Sequence, residues 1–371
     1  MNIIHLVMGK ANPQRMNGVN KVAYQLAKTQ HENGLQVSVW GITKNPVHDY
    51  PVRAFNTRLF VNTRLGLSKE LRAALSALTP DTVVQIHGVF IPVLDRVAVF
   101  LKQINRAYII TPHGALAKAA MARHALRKRV YFSCFTLPVL LGAANVQMLG
   151  EQESEDLFHL APTIRQVLVP NGQDLKEIPD FPTRSENQIP VFGYCGRLDS
   201  YHKGLDLMLE AFKTMLAQGT AARLIVIGDG KDRRKLERYC AVHRLEQGVV
   251  FCGAQYGVEK FRLLASCDFF LHTSRMEGFP VAVLEAAALG LPCLTTKPTS
   301  MNRYLERHQA GFAIPQVAVD SILTAMQEAV ATFKKPRFRE LSHNARQMIR
   351  EVFSWEDIAR QLPTVYQKAL R

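Results

Sequence analysis

The stretch from Cys267 to Pro292 limits the possible folds of this chain more than any other. It opens with a short apolar run, Asp268 to His272, that predicts a buried strand, and polar residues follow at the carboxyl end of that strand. A helix is expected to begin near Pro280, since proline is tolerated in a first turn, and to end at Gly290. Strand, polar loop and helix in this order indicate an α/β protein whose ligands bind at the carboxyl ends of parallel strands.

Two glutamates flank the start of this helix. Glu277 lies just before it and Glu285 on its second turn, eight positions apart (285 − 277). The backbone N–H groups of Gly278, Phe279 and Val281 are expected to point out of the positive end of the helix, which suits an anion or a group of hydroxyls.

The same residues resemble the donor site of the family 4 retaining glycosyltransferases, through Glu277 to Val281 (EGFPV) and Glu285 to Pro292 (EAAALGLP). The resemblance implies the GT-B fold, an α/β architecture of two Rossmann-like domains facing a central cleft. It also implies that Glu277 meets the transferred sugar and Glu285 the ribose of a nucleotide sugar. The competing interpretation is a solvated helix face that happens to carry two glutamates.

Alternating short apolar runs and helical segments predict two parallel-sheet domains. The first is expected at 1–175, as the acceptor-binding domain, and the second at 188–354, as the nucleotide-sugar-binding domain. Gln173 to Ile189, with two prolines and several charges, is expected to link them. In the GT-B fold a C-terminal helix, here 355–371, crosses back to the first domain. First-half strands are expected at Asn2 to Met8, Leu35 to Gly41, Thr82 to Ile86, Ala107 to Ile110 and Ala144 to Leu149.

Two loops of the first domain carry candidate site residues. Gly18, in a loop that runs into a helix, could let a phosphate or an acceptor approach the backbone. The family usually has two adjacent glycines here, and this chain has Asn17-Gly18. His113, in the sequence Thr-Pro-His-Gly, matches a histidine that faces the donor sugar at the interdomain cleft of the resembling enzymes. A turn histidine bonded only to backbone is the alternative.

The second domain opens with a strand followed by Arg197 and Lys203, a forked cation and a compact one, which suits a pyrophosphate. Both match the pair that holds the donor diphosphate in the family. Gly253, in the loop from Phe251 to Gln255, matches a loop that borders the base. The predicted catalytic residues are Glu277, His113, Arg197 and Lys203, and the predicted donor-binding residues are Gly18, Arg197, Lys203, Gly253, Gly278, Phe279, Pro280, Val281 and Glu285.

The net charge of +15 favours an anionic partner. A basic amphipathic helix is expected from Ala115 to Phe135, which could lie on an anionic membrane surface or form an ordinary solvated face. Nucleic acid is disfavoured because no aromatic and basic recognition motif is present. A dinucleotide oxidoreductase is disfavoured because no G-x-G-x-x-G follows the first strand.

Cysteine spacing and apolar runs bear on the cellular location. None of the six cysteines forms a C-x-x-C pair, and reduced core cysteines of a cytosolic protein are expected. The start of the chain lacks the features of a secretory signal. Val130 to Gly150 has the length of a membrane span, but its proline and polar residues favour a helix end and a short strand.

The resemblance therefore implies a retaining hexosyltransferase that moves a sugar from a UDP- or GDP-sugar to a growing glycan of the cell surface, with a lipid-linked acceptor. The nucleotide sugar is a substrate, and no cofactor is expected. No metal is expected either, because the chain has no D-x-D motif and its cations could stabilise the leaving diphosphate. The expected location is the cytoplasm, with peripheral binding to the inner face of the membrane as one option. Alternatives are a nucleotide-sugar epimerase or phosphorylase of the same fold, and a non-catalytic basic binding module.

Overall fold

The structure, a computed structural model, describes residues 1–12, 18–48, 53–122, 124–179 and 187–370. It consists of two compact units, the first formed by Met1–Asn171 with Trp355–Arg371 and the second by Gly172–Ser354. The beginning of the expected linker is therefore part of the second unit. There Gln173 forms a parallel bridge with Ser354, and Leu175–Glu177 is a turn of 3-10 helix.

The first unit is built on a sheet of seven parallel strands in the order β3-β2-β1-β4-β5-β6-β7. The elements in chain order are β1 Asn2–Met8, α1 Gly18–Glu32, β2 Gln36–Thr43, β3 Asn56–Val61, α2 Lys69–Ser76, β4 Thr82–His87, α3 Pro92–Gln103, β5 Ala107–Thr111, α4 Lys118–Ala122, α5 Ala125–Tyr131, a π-helix Phe132–Thr136, α6 Leu137–Gly142, β6 Asn145–Met148, α7 Glu151–Leu160 and β7 Gln166–Leu168.

The second unit has a sheet of six parallel strands in the order β10-β9-β8-β11-β12-β13. Its elements are β8 Val191–Cys195, α8 Ser200–Lys203, α9 Leu205–Ala217, β9 Arg223–Ile227, α10 Arg233–Val242, β10 Val249–Gly253, α11 Gly257–Ala265, β11 Phe269–His272, α12 Val281–Ala288, β12 Cys293–Thr296, a 3-10 turn Lys297–Thr299, α13 Asn302–His308, β13 Gly311–Ile314, α14 Val319–Thr332 and α15 Pro336–Val352. The last helix, α16 Trp355–Ala369, belongs to the first unit.

The apolar patterns explain both sheets. Every residue of β4, β8, β11 and β12 is buried, as expected for parallel strands covered by helices on both faces. In the first unit, one face of the sheet packs on an apolar core with members such as Leu6, Ile86 and Met148. The second unit has its own core, with members such as Phe212 and Phe269.

Two expectations for the first unit are wrong. The strand β3, Asn56–Val61, is absent from the expected strands, because it is a partly exposed edge strand whose polar residues hide the apolar signal. The single basic helix expected from Ala115 to Phe135 is broken. His124 adopts a left-handed conformation with φ of 55° between α4 and α5, and the chain then continues into the π-helix.

The sequence analysis also made predictions about the cysteines, expected to be reduced, and about the apolar run from Val130 to Gly150. All six cysteines are free, and four of them are buried, while Cys134 is exposed. Among the described residues, no helix combines the length and the apolar character that crossing a bilayer requires. The run from Val130 to Gly150 instead divides into short helices and the strand β6.

Candidate functional site

The strand order of the second sheet reverses between β8 and β11. In an open parallel sheet the ligand crevice lies at the carboxyl ends of the strands that flank such a reversal. The segment after β8 carries Arg197 and Lys203, and the segment after β11 carries Glu277. The structure thus brings three of the four predicted catalytic residues to one edge of one sheet.

Glu277 is held almost entirely through one of its two carboxylate oxygens. Oε2 accepts hydrogen bonds from Lys203 Nζ, from His272 Nε2 at 2.9 Å and from Ser274 Oγ at 3.3 Å. Oε1 bonds to no other residue that the structure describes. Because none of the described donors uses the lone pairs of Oε1, this oxygen is available to a hydroxyl group of a ligand.

The charges around Glu277 keep it ionised. Burial alone would raise the pKa of Glu277, but the Lys203 ammonium and the bond from His272 reverse the effect and hold this pKa well below its usual value. His272 is buried, and this burial lowers the pKa of its imidazole. Because a carboxylate only accepts, the neutral His272 carries its proton on Nε2, and its Nδ1 is buried without a hydrogen-bond partner.

A glycine brings Lys203 close to Glu277. Gly204, which follows α8 with φ of 63°, has a backbone so close to β11 that a Cβ would lie 2.1 Å from the carbonyl oxygen of Thr273. The Thr273 hydroxyl also contacts the carbonyl oxygens of Lys203 and Gly204 at 3.1 Å. A side chain at position 204 would therefore push Lys203 away from the carboxylate.

Arg197 is the second predicted cation of the site. Its side chain is exposed and makes no hydrogen bond or ion pair with another described residue. Its carbonyl oxygen accepts a hydrogen bond of 3.1 Å from the buried Tyr194 hydroxyl, which fixes the backbone at this point. Lys203 is partly committed to Glu277, whereas the Arg197 guanidinium has all five donors available for an anion.

Glu285 lies one and a half turns into α12 and forms an ion pair that the sequence analysis missed. Lys260 Nζ, from α11, lies 2.7 Å from Glu285 Oε2, and the two side chains are only 13% and 4% exposed. The Lys260 ammonium also lies 4.5 Å from the centre of the Phe261 ring. The carboxylate predicted to meet a ribose is thus already neutralised by a largely buried lysine.

The helix α12 begins where the sequence analysis expects it. The helix begins at Val281, with Pro280 in the preceding cap position. Pro280 O accepts from the N–H groups of Val283 and Leu284, whereas the N–H groups of Val281 and Ala282 have no acceptor within the described part of the chain. Free N–H groups at a helix start favour a negatively charged group. Gly278 and Phe279 form the approach to this helix start, and Phe279 is buried against Phe353.

Gly253 ends β10 and has φ of 70°. Its carbonyl oxygen accepts from the N–H of Gly228 at 2.7 Å, so the loops after β9 and β10 are joined. A Cβ at Gly228 would lie 1.9 Å from the carbonyl oxygen of Gly196, next to Arg197. These glycines pack three loop backbones against one another at the edge that carries Arg197.

His113 belongs to the first unit, directly after β5, and has a left-handed backbone with φ of 55°. Its Nε2 lies 3.0 Å from Nδ1 of His87, the last residue of β4. The first sheet reverses its strand order between β1 and β4, so His87 lies at the corresponding position of the first unit, and His113, after the next strand β5, contacts it. The alternative of a turn histidine bonded only to backbone is wrong.

Gly18 is the first residue of α1 and is exposed, with open space where a Cβ would be. The preceding residues of the predicted loop, Met16 and Asn17, lie outside the described residues. The sequence analysis missed Lys260, His272 and His87. His87 and His272 are polar residues at the ends of apolar runs, and that contrast is the signal that could have found them. Lys260 lies between Glu259 and Phe261, close to Arg262, and has no such signal.

The comparisons with known proteins concern the family and the fold. Residues 176–348 match the family described as glycosyl transferases group 1. Two curated relatives align along nearly the whole chain. One is a component of the phosphatidylinositol N-acetylglucosaminyltransferase of Arabidopsis thaliana, which is 25% identical over 95% of this chain and 76% of its own length. The other, a GDP-mannose:cellobiosyl-diphosphopolyprenol alpha-mannosyltransferase of Xanthomonas campestris, is 23% identical over 100% of this chain and 97% of its own.

Other matches cover less of the relative or show the fold alone. The putative colanic acid glycosyltransferase WcaL of Salmonella typhimurium is 28% identical over 44% of this chain. The matched region covers less than half (42%) of the length of WcaL. Among solved structures, sucrose-phosphate synthase of Thermosynechococcus elongatus has a TM-score of 0.79 at 18% identity over 99% of both chains. Anabaena HepE, in complex with UDP and glucose, has a TM-score of 0.74 at 17% identity over 99% of both chains.

The fold is therefore of the GT-B type, with two Rossmann-like parallel-sheet domains. The second unit carries a glycosyl transferases group 1 domain, and the resemblance to the family 4 glycosyltransferases is confirmed. The chain is a glycosyltransferase.

Proposed function

We propose that this glycosyltransferase moves a hexose-type sugar from a UDP- or GDP-sugar to a growing, lipid-linked glycan of the cell surface, with retention of the anomeric configuration. The observation that carries the proposal is the group around Glu277. Its Oε2 accepts hydrogen bonds from Lys203, His272 and Ser274, and its Oε1 accepts none from the described residues. A fixed, ionised carboxylate of this kind can accept hydrogen bonds from the hydroxyl groups of a sugar.

Breaking the bond between sugar and diphosphate leaves negative charge on the leaving group, and only interactions that strengthen in the transition state accelerate this step. Arg197, Lys203 and the free N–H groups at the start of α12 would stabilise that charge. Three such donors in one place support a transfer that needs no metal. Glu285, with Lys260, would hold the ribose, and Gly253 would border the base.

His113 is assigned to the donor sugar, as the resemblance implies, and Gly18 to a phosphate or an acceptor at the start of α1. The first unit is assigned to the acceptor and the second unit to the nucleotide sugar. The names of two relatives support the nature of the substrates. The Arabidopsis relative is named for phosphatidylinositol and the Xanthomonas relative for a diphosphopolyprenol, so both names contain a lipid. HepE, which shares the fold, binds UDP and glucose.

A thermal-shift screen against UDP, GDP and their common sugar conjugates, with and without EDTA, tests the donor site. We expect one nucleotide family to raise the melting temperature, independently of EDTA, and Glu285→Ala to abolish the shift. No shift with any nucleotide would contradict the proposal and favour a non-catalytic binding module. A shift that requires a metal would contradict the leaving-group argument. Release of an isomeric nucleotide sugar or a sugar phosphate would instead identify an epimerase or a phosphorylase.

An anionic membrane surface is proposed as a further partner, which would place the enzyme on the inner face of the cell membrane. The support is a surface of α5 and the π-helix that exposes apolar and basic side chains together: Leu126 is 79% exposed and Val130 56%, beside exposed Arg127 and Arg129. Basic and apolar residues in this mixture bind anionic bilayers. Co-sedimentation with phosphatidylglycerol vesicles, lost in Leu126→Ser and absent with phosphatidylcholine, is expected. Equal sedimentation with both lipids would contradict the electrostatic part.

A further inference from the structure

A row of buried polar side chains crosses one face of the first sheet and ends at His113. The parallel register places His5 of β1 opposite Gln85 of β4, and His87 follows two residues later on the same face. Two helices supply further members of the row, Gln30 from α1 and Tyr366 from α16. Because buried polar groups must satisfy one another, the direction of every hydrogen bond in the row can be worked out.

A backbone carbonyl at one end of the row sets the direction of its hydrogen bonds. Gln147 Nε2 donates to the carbonyl oxygen of Val169 at 2.9 Å, and because a carbonyl can only accept, the Gln147 amide cannot be turned around. Its Oε1 therefore faces Gln85 Nε2, at 2.5 Å, and Gln85 Nε2 also donates to the Thr111 hydroxyl at 2.9 Å. The remaining atom, Gln85 Oε1, is left as an acceptor.

The acceptor on Gln85 fixes the next two groups. The Tyr366 hydroxyl donates to Gln85 Oε1 at 2.5 Å, so its oxygen is the acceptor for Gln30 Nε2 at 3.0 Å. With its nitrogen used in this way, Gln30 presents Oε1 to His5 Nε2 at 2.8 Å. His5 must therefore carry its proton on Nε2.

The proton on His5 Nε2 determines which nitrogen carries the proton on the next two histidines. Burial lowers the pKa of His5 and of His113 to about 4 and that of His87 well below its usual value, so each ring is neutral at pH 7 and carries one proton. His5 Nδ1 is then an acceptor for His87 Nε2 at 3.1 Å, and His87 Nδ1 is an acceptor for His113 Nε2 at 3.0 Å. The last nitrogen, Nδ1 of His113, has no proton, and no described residue bonds to it.

We propose that this relay, from Val169 through Tyr366 to His113, locks His113 in the Nε2–H tautomer and makes its Nδ1 a hydrogen-bond acceptor for a substrate hydroxyl. At Nδ1, His113 then accepts a hydrogen bond from the hydroxyl, and it has no proton there to donate as an acid. His5, His87, Gln30 and Tyr366 are positioning residues, and the last helix of the chain helps to set the chemistry of the site. Naming the hydroxyl as that of the donor sugar rests on the proposed function; the relay itself does not.

The test uses the full-length protein without any ligand, labelled with ¹⁵N-histidine and studied by long-range ¹H–¹⁵N correlation NMR. Substituting one histidine at a time assigns the signals. We expect a protonated Nε2 and an unprotonated Nδ1 on all three rings, with couplings through the two N–H···N hydrogen bonds. A protonated Nδ1 on any of the three rings, or an exchanging mixture of tautomers, would overturn the proposal.

A pair of tyrosine variants tests whether the distant end sets the direction. Tyr366→Phe removes the hydroxyl that holds Gln30 in place, so the amide can turn and all three rings can change tautomer together. We expect signals of protonated Nδ1, absent from the wild type, on the three histidines. The matched control is Tyr108→Phe, which removes another buried hydroxyl of the first unit, bonded to the carbonyl oxygen of Val139 at 2.8 Å outside the relay. It should leave the tautomers unchanged.

The outcomes separate the relay from loss of structure and from the proposed function. If a folded Tyr366→Phe keeps the wild-type tautomers, the tyrosine hydroxyl does not set the protons of the histidines, and the proposal is overturned. A tyrosine with only a structural role would give this result. If Tyr366→Phe does not fold, the wild-type spectrum and its couplings still decide. Predicted tautomers in a protein that binds no nucleotide would refute the proposed function and leave the relay standing.

Discussion

The two units share a topology, and they differ in the chemistry at the same place in it. Each sheet reverses its strand order once, between β1 and β4 in the first unit and between β8 and β11 in the second. At the first reversal lie neutral histidines joined to amides and a hydroxyl. At the second lie an ionised glutamate and a lysine. The fold supplies the position, and the side chains decide what can bind there.

The difference matches two kinds of ligand. Formal charges with free donors, as at Lys203 and Arg197, attract an anion such as a diphosphate and act on charge that develops during a reaction. Neutral rings with fixed protons recognise uncharged hydroxyl groups by direction, and their energy depends on every member being satisfied. The second unit is therefore suited to an anion, and the first to an uncharged group that carries hydroxyls.

The largest expected effect concerns the buried ion pair of the second unit. Lys260→Met keeps an apolar side chain of similar length next to Phe261 but leaves Glu285 charged and buried without its partner. We therefore expect the free energy of unfolding to fall by about 3–5 kcal/mol. Denaturant unfolding followed by circular dichroism measures it. The matched control is Lys213→Met, whose ion pair with Glu210 is partly exposed, with side chains 29% and 38% exposed, and should contribute less than about 1 kcal/mol. Equal losses in both variants would contradict a special role for the buried charge.

The next effect separates charge at the site from charge elsewhere. Lys203→Ala removes the partner of Glu277 and the proposed donor for the diphosphate, and one charge-assisted hydrogen bond contributes about 1.5–3 kcal/mol. We expect turnover of the donor found in the thermal screen to fall by about ten- to a hundredfold or more. Lys213→Ala should retain wild-type turnover. Near-normal turnover of Lys203→Ala would refute the assignment of the diphosphate site.

The smallest effect tests the neutrality of the first unit. Burial lowers the pKa of His5 from 6.5 to about 4 in the folded protein, so between these values the unfolded chain binds more protons and the unfolding free energy falls as the pH is lowered. Between about pH 6.5 and about pH 5, the wild type should lose about 2 kcal/mol more than His5→Gln does. Comparing the two proteins cancels the contribution of Glu153, whose pKa burial raises to about 7 and which acts in the opposite direction.

Fluorescence makes this comparison specific, because both tryptophans, Trp40 and Trp355, belong to the first unit. The control is His159→Gln, a histidine exposed on α7 of the same unit, whose stability curve should run parallel to that of the wild type. Parallel curves for wild type and His5→Gln would mean that His5 is not buried as a neutral ring, and the contrast between the units would fail.

Much of the second unit could be predicted because its signals are local. Pro280 and Gly290 mark the ends of α12, and the strands before it are short apolar runs with glycine between them. The pairing of Lys260 with Glu285 could not be predicted, since the two residues lie on different helices and only packing joins them. The break of the basic helix at His124 was also hidden, because no proline or glycine marks it.

The sequence by itself determined the two parallel sheets, the family and which polar residues lie at the carboxyl edge of the second sheet, because spacing along a strand, a loop and a helix start is a local property of the chain. The tertiary structure alone decided how those residues are charged and where their protons lie. Val169, Tyr366 and His113 are far apart in the chain, and only the folded sheet and α16 join them into one row of hydrogen bonds. Proton positions depend on burial and on partners, and both arise only when distant segments pack together.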